Sequence, residues 1–453
     1  MNQMPRHIQP EQPPAVRKHN FDEVTAPFDA ATAVAEAQRC LQCKNPQCRG
    51  GCPVGVDIPA FIKRIAEGDP NAALACIKCA NSLPGVTGRV CPQEEQCEKL
   101  CVRARMDGAV AIGALERYAA DTGAVSENAK PTVKTPRKRV AVIGSGPSGL
   151  ACAADCAKAG FAVTVFEAFH KPGGVLVYGI PEFRLPKALV DKEIALLKDL
   201  GVTFSLNTVI GKTLLIEELQ ADFDAIFIGT GAGLPQFLGI PGEQLNGVIS
   251  ANEYLTRVNL MGAYRPESES PVAQGSRVAV FGAGNVAMDA ARTAVRMGAE
   301  SVTIVYRRGR DEMPARREEI RHAEQEGVQL ALLCAPKAFV GARAVEGVRL
   351  VRCALGAPDA GGRRMPVDIP DSDFTLPCDL AIVAVGTAPN PLLKRSCDAL
   401  AVSKRGALVV DGASMTSLPG VYAGGDAVTG AATVILAMGA GRKAAEEIVR
   451  NNS

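Results

Sequence analysis

Past residue 138 the chain repeats one pattern of apolar and polar positions. A short apolar run leads into a glycine-rich turn, and a stretch with helical spacing follows. In "VAVIGSGPSGLACAADCAKAGFAVTVFE" (140–167) this predicts a strand, a turn, a helix and a second strand that ends at Glu167. "RVAVFGAGNVAMDAARTAVRMGAESVTIVYRR" (277–308) repeats the order. "DAIFIGTGA" (224–232) and "DLAIVAVGTAPN" (379–390) read as buried strands that run into glycine turns. "VYAGGDAV" (421–428) puts Asp426 after two glycines at the start of a helix. Nearer the N-terminus, "AALACIKCANSLPG" reads as a helix that ends at a proline–glycine turn. The longest uncharged stretches, such as 225–242, are broken by glycine and proline, so no membrane-spanning helix is expected.

The two turns carry chemistry. Gly144, Gly146 and Gly149 form G-x-G-x-x-G between strand and helix. Such glycines permit a tight turn, close approach of a pyrophosphate to the backbone, and helix–strand packing. Pro147 and Ser148 open a helix whose N-terminus then faces the phosphates. Glu167 follows Gly144 by 23 residues, where a carboxylate accepts ribose hydroxyls. In the second copy Gly282 and Gly284 lead the turn, Asn285 and Val286 follow, and Ala287 takes the place of the third glycine. Its second strand ends in Arg307 and Arg308 rather than in an acid. A carboxylate there would repel a 2′-phosphate, whereas guanidinium groups bind one. The second site is therefore expected to take NADPH rather than NADH. The blander alternative is a solvated strand end, with Asp311 and Glu312 close enough in sequence to neutralise both arginines. Two nucleotide folds in one chain fit a flavin reductase, one for FAD and one for the pyridine nucleotide. Gly231 and Gly386, in the turns that close 224–232 and 379–390, join the candidate cofactor residues.

The cysteines are unevenly spread. Of fifteen, nine lie between Cys40 and Cys101. Their spacing is C-x2-C-x4-C-x3-C-P for Cys40, Cys43, Cys48 and Cys52, then C-P-x4-C-x3-C for Cys91, Cys97 and Cys101. A secreted disulfide protein would be small and cysteine-dense throughout. Zinc usually draws two C-x2-C pairs or adds histidines, and His7, His19, His170 and His322 all lie outside this block. Thiolates followed by proline are the habit of proteins with two iron–sulfur clusters. Two cubanes need about eight ligands, one more than these cysteines supply. Cys76 and Cys79 are read as small helix residues rather than ligands.

Residues 30–121, "AEAQRCLQCKNPQC…CPVGVDIPAFIKRIAEGD…LPGVTGRVCPQEEQCEKLC…GAVAIGALERYAAD", closely resemble the N-terminal domain of the glutamate synthase small-subunit family. That family includes the large subunit of NADH-dependent ferredoxin:NADP oxidoreductase, and its domain recurs in dihydropyrimidine dehydrogenase. The resemblance implies a helical domain with two [4Fe-4S] clusters whose ligands interleave. One would take Cys40, Cys43, Cys48 and Cys101. The other would take Cys52, Cys91, Cys97 and Glu116 of "IGALER". On residue type alone Glu116 is a solvated helix glutamate. Thr87 stands where many relatives have a cysteine before "GRVCP", a position that is not a ligand in the family. "KPGGVLVYGIPEFRLPK" (171–187) resembles the family's flavin-facing stretch, which adds Gly173, Gly174, Gly179 and Arg184. In the two-dinucleotide flavoprotein family, which the later segments resemble, Gly425 and Asp426 meet the ribityl–phosphate part of FAD.

The expected fold class is α/β, with two Rossmann-like dinucleotide-binding domains, for FAD and NADPH, preceded by an α-helical domain carrying two [4Fe-4S] clusters. The expected boundaries are 1–125 for the cluster domain and 126–138 for a linker rich in charge and turn residues. The FAD domain should take 139–270 and 378–453, and the NADPH domain 271–377.

Composition narrows function further. A net charge of +2 and only 4% aromatics, with no tryptophan, argue against nucleic acid. The polar, proline-rich start "MNQMPRHIQPEQPPAVRKHN" lacks the apolar core of a signal peptide, which leads to a cytoplasmic expectation. A flavin disulfide reductase would need a redox cysteine pair by the flavin, and "GGVLVYGIP" has none; Cys152 and Cys156 sit on the first helix. A complete synthase would need an amidotransferase nucleophile and an FMN barrel. The remaining expectation is an NADPH-linked oxidoreductase subunit that passes electrons between NADP(H), FAD and the clusters to a partner. That partner would be a glutamate synthase large chain or a smaller flavoprotein or ferredoxin reductase subunit. The wording of "VYGIPEFRLPK" and "GAGNVAMDAAR" leans toward the ferredoxin:NADP and stand-alone branch, and a pyrimidine-reducing complex is a further option.

Overall fold

The computed structural model describes residues 4–124, 138–359 and 361–452. The expected linker, apart from Lys138, lies outside the described residues.

The apolar runs form strands as their pattern requires. Arg139–Ile143 is buried at every position after the first and lies at the centre of a five-stranded parallel sheet. The order is Val421–Ala423, Ala225–Ile228, Arg139–Ile143, Ala162–Phe166, Thr203–Ser205. The helix Pro147–Lys158 packs on this sheet, and the C-terminal helix Val434–Asn452 crosses it closely. Gly441 makes that crossing feasible, because a Cβ there would stand 2.0 Å from the Ser148 carbonyl oxygen. Val140, Val142, Leu150, Phe227 and Met438 share one core beneath these elements.

A second parallel sheet has the order Val248–Ser250, Leu380–Val383, Arg277–Phe281, Ser301–Tyr306, Gln329–Leu332. An antiparallel sheet, 334–377, extends this unit. Two connections join the units, and they run side by side as the antiparallel pair Leu234–Pro235 and Thr387–Ala388. This pairing corrects the expected boundaries at 270/271 and 377/378. Residues 248–259 and strand Leu380–Val383 belong with the second sheet. The physical reason is register: Leu380–Val383 hydrogen-bonds directly beside Arg277–Phe281, and no local signal in a four-residue apolar run names its neighbour.

The N-terminal part is helical. Ala30–Gln38, Ile58–Ala66 and Pro70–Lys78 are each capped by an aspartate, Asp29, Asp57 and Asp69, whose carboxylate accepts a backbone N–H of the first turn. The helix Pro70–Lys78 stops at Cys79, and Pro84–Gly85 does not close it. Pro84 instead opens the next helix, Pro84–Val90, at the first helical position, where a missing N–H costs nothing. Gly88 lets that helix press on Ile112–Thr122, since a Cβ would stand 2.7 Å from the Arg117 nitrogen.

Candidate functional site

The first glycine turn has the open backbone that a pyrophosphate would need. Gly144 has φ +97°, and a Cβ on it would stand 2.6 Å from the Gly229 carbonyl oxygen. A Cβ on Gly149 would stand 2.0 Å from the Gly144 carbonyl oxygen, so helix and turn touch through this residue. Gly146 differs: a Cβ there would meet nothing within 4 Å. That open position lies at the N-terminus of the helix that Pro147 begins. The Ser148 hydroxyl is buried beside it and takes no hydrogen bond among the described residues. An orphaned hydroxyl, an open backbone and a helix N-terminus together fit a phosphate group.

The other flavin candidates gather around this turn. Glu167 is buried; its carboxylate accepts the Ser145 N–H at 3.0 Å, the Ser145 hydroxyl, and the Phe169 N–H at 2.9 Å. Gly173 donates to the Ser145 hydroxyl oxygen at 2.9 Å, and a Cβ on Gly174 would stand 2.7 Å from the Gly146 Cα. Gly425, φ +68°, abuts Ser148. Asp426 opens the helix Asp426–Thr429, and burial pushes its carboxyl up to about 6. Gly179 ends the short helix Val175–Tyr178, and Gly231 has φ +67° with open space around it. Sequence reasoning missed Tyr178. Its hydroxyl is pushed up to about 12, by burial first and then by the charges of Asp426 and Glu167. The signal was its place in the quoted "VLVYGIP", at the end of the short helix Val175–Tyr178, but nothing in the sequence joined it to Asp426.

Arg184 does not face this cradle. It is buried and pairs with Asp289 at 2.7 Å and Glu319 at 3.0 Å, both in the second unit. Two carboxylates hold its charge and raise its already high pKa against the opposing effect of burial. Arg184, read as a flavin residue, here forms an ion pair that ties the two nucleotide units together.

The second turn repeats the first. Gly282 has φ +128° with the Ala384 carbonyl oxygen 2.3 Å from a would-be Cβ, Gly284 is open to 4.0 Å, and Ala287 is fully buried. Val286 is 43% exposed at the mouth. Asn285 uses its side-chain oxygen to accept the Arg316 N–H at 3.0 Å. Gly386, φ +116°, lies just past the strand Leu380–Val383 of the same sheet. The two arginines part company. Arg307 is exposed and has no ion pair among the described residues. Arg308 is buried and donates to the Arg364 carbonyl at 2.9 Å and to Asp359 at 3.0 Å. Of the two arginines read as phosphate ligands, Arg308 is thus already engaged, and Arg307 has no partner among the described residues. Glu312 neutralises neither, since it accepts from Arg364 at 2.8 Å.

The cysteines fall into two electrostatic neighbourhoods. Cys40, Cys43, Cys48 and Cys101 line one pocket, with Leu41, Leu100 and Val102 at its edge. Burial, and then the neighbouring Cys101 and Cys40, push the Cys48 thiol up to about 11. Cys52, Cys91 and Cys97 form the other, deeper group. Burial raises all three thiols, Cys91 and Cys97 well above the usual range, and the Glu116 carboxylate adds to each shift. Isolated thiolates are costly there, so cationic iron is the natural counter-charge. Glu116 is no solvated helix glutamate: burial pushes its carboxyl up to about 7 against hydrogen bonds from Thr87 and Asn81. Cys76 and Cys79 instead direct their thiols to backbone carbonyls, of Asp57 and Ala75. Arg316 links the second group to the second nucleotide turn. Its backbone holds Asn285, and its guanidinium donates to the Arg89 carbonyl and the Gln93 side chain, both at 3.0 Å.

Two nucleotide turns on two parallel sheets, preceded by a cysteine-rich helical domain, define a flavoprotein oxidoreductase of pyridine nucleotides with an iron–sulfur domain. Residues 17–128 match the family described as dihydropyrimidine dehydrogenase domain II, 4Fe-4S cluster, and residues 138–441 match pyridine nucleotide-disulphide oxidoreductase. The chain belongs to the glutamate synthase small-chain family. It is 40% identical to the glutamate synthase [NADPH] small chain of Azospirillum brasilense, over 97% of this chain and 93% of the relative. It is 38% identical to that of Escherichia coli over 97% and 96%. It is also 41% identical to the NADP(+)-dependent formate dehydrogenase subunit beta of Moorella thermoacetica, over 88% of this chain and 59% of the relative. In fold it is similar to FprA from Mycobacterium tuberculosis, with a TM-score of 0.60 at 23% identity over 70% of this chain and 85% of that one. Among the described residues no helix is long and apolar enough to cross a membrane.

Proposed function

We propose that the chain takes reducing equivalents from NADPH at the second glycine turn and delivers them, through the cysteine block, to a partner subunit. The observation that carries this reading is the coexistence in one chain of two phosphate-fitting turns and two separate groups of soft ligands. The turn Gly144–Gly149 with Ser148 would hold the FAD pyrophosphate, and Glu167 the adenosine ribose. Asp426 would meet the part nearer the flavin, with Tyr178 beside it. The turn Gly282–Ala287 with Arg307 would hold NADPH. Cys40, Cys43, Cys48 and Cys101 would hold one cluster, and Cys52, Cys91, Cys97 and Glu116 the other. When bound, these cofactors supply the hydride and single-electron chemistry. The chain's own work would be to bind, orient and exclude water, a part that the buried Ser145, Ser148 and Glu167 would take at the first turn.

The ligand groups differ in depth, which supports a direction. Cys91 and Cys97 are buried, while the pocket of Cys40, Cys43, Cys48 and Cys101 opens among exposed Leu41, Leu100 and Val102. The exposed group is the natural contact for a partner. A glutamate synthase large chain is the partner proposed, because the chain spans nearly the whole length of the small-chain relatives but only 59% of the formate dehydrogenase subunit. The test is anaerobic turnover with purified chain. NADPH should reduce a one-electron dye, while glutamine and 2-oxoglutarate should yield no glutamate until the large chain is added. Glutamate formed by the chain alone, or an inert mixture after the large chain is added, would sink this function.

A further inference from the structure

A buried polar arrangement borders the deeper ligand group. Glu116 projects from Ile112–Thr122 toward Pro84–Val90. Its Oε1 receives two hydrogen bonds, from Asn81 Nδ2 at 2.7 Å and from the Thr87 hydroxyl at 2.6 Å. Asn81 also donates to the Thr87 oxygen at 2.7 Å, and the single hydroxyl proton has Glu116 as its nearest acceptor, with the Leu83 and Pro84 carbonyls farther off at 3.1 and 3.4 Å. The Asn81 amide cannot be turned round, because its Oδ1 accepts the Leu83 N–H at 3.0 Å. Asn81 and Thr87 are 1% and 0% exposed, so neither can exchange these partners for water. Oε2 of Glu116 takes no hydrogen bond among the described residues.

We infer that Asn81 and Thr87 are positioning residues for the second ligand group: by filling Oε1 they leave Oε2 alone to meet iron. A carboxylate offers two oxygens and could bind through either or both. With both lone-pair directions of Oε1 taken, binding is through one oxygen and in one orientation. The two donors also draw electron density from the carboxylate, which raises the potential of the cluster it would hold relative to an unassisted carboxylate. Thr87 therefore has a task of its own, as a hydroxyl donor to that carboxylate. An alcohol donates to the carboxylate and leaves the iron to Oε2.

This inference rests on Glu116 being a ligand, and the experiment separates the two. Holoprotein is assayed for iron and sulfide, and each cluster's midpoint potential and EPR spectrum are followed by redox titration. Glu116→Ala should abolish or alter the signal of one cluster only. If it changes neither, the ligand reading fails. Thr87→Val removes the donor at nearly constant volume. It should lower the potential of that same cluster and change its EPR anisotropy, with the other cluster unmoved. Thr87→Ser, which keeps the hydroxyl, should return wild-type values. Combined with Asn81→Leu, Thr87→Val should lose about half of the iron. If Thr87→Val does not load flavin, Asn81→Ala reads the same shift. A sensitive cluster in Glu116→Ala, together with unaltered potentials and spectra in the foldable Thr87 and Asn81 variants, would overturn the inference and leave the pair a filler of buried space.

Discussion

Arg307→Ala and Arg308→Ala make a matched pair that tests how the nucleotide is chosen. The two residues are adjacent, carry the same charge and follow the same strand, yet they occupy different worlds. Arg308 is 6% exposed and spends its guanidinium on Asp359 and the Arg364 carbonyl. Arg307 is exposed and uncommitted, at the strand end where the ribose of a bound dinucleotide lies in this fold. A charge-assisted hydrogen bond contributes about 1.5–3 kcal/mol, so losing Arg307 should lower kcat/KM for NADPH by roughly 10- to 150-fold. NADH has no 2′-phosphate, and its kcat/KM should hardly move. Arg308→Ala should instead destabilise the adjoining hairpin by roughly 1–3 kcal/mol and leave the NADPH/NADH ratio alone. The assay is steady-state reduction of a one-electron dye with each nucleotide, with chemical denaturation in parallel. The reasoning is refuted if Arg308→Ala loses the preference while Arg307→Ala keeps it, or if the wild type prefers NADH.

The Gly146 position separates folding from cofactor capture. Its φ of −68° suits any residue and its Cβ direction is open, so Gly146→Ala should fold yet fail to retain FAD, whereas Gly149→Ala, facing a 2.0 Å contact, should fail to fold; flavin absorbance and circular dichroism read both, and a flavin-replete Gly146→Ala would contradict the cradle. Cys76→Ala with Cys79→Ala should keep about eight irons per chain, and loss of iron in that variant would redraw the ligand groups. Burial pushes Lys187 down from 10.5 to about 8, where its amine donates to the Ile180 and Leu185 carbonyls. The unfolded chain holds that proton up to higher pH, so stability should rise between about pH 8 and 10.5 and fall back as pH drops through 8. Lys187→Met should flatten this slope in denaturant titrations, and an unchanged slope would show that Lys187 does not carry it.

The sequence alone determined what depends on a few consecutive residues. The glycines at 144, 146 and 149 are readable because a turn, an approach path and a packing contact each need a missing Cβ at a set offset, and the three glycines meet three different surroundings. The cysteine spacing within each run points to iron for a similar reason, whereas the pocket that joins Cys101 to Cys40, Cys43 and Cys48 spans two runs. The tertiary structure decided everything that depends on who sits opposite. Arg184 looked like a flavin residue because its neighbours in sequence did, but its partner Asp289 lies 105 positions away. Arg308 is drawn off by Asp359, 51 positions on. The strand Leu380–Val383 reads as an apolar run whichever sheet it joins, and only its hydrogen bonds to Arg277–Phe281 assign it. Glu116 meets Thr87 and Asn81 across 29 and 35 residues, because Gly88 lets two helices close to backbone contact. Charge and hydrogen-bond partners are chosen by distance in space, and a sequence holds distance only along the chain.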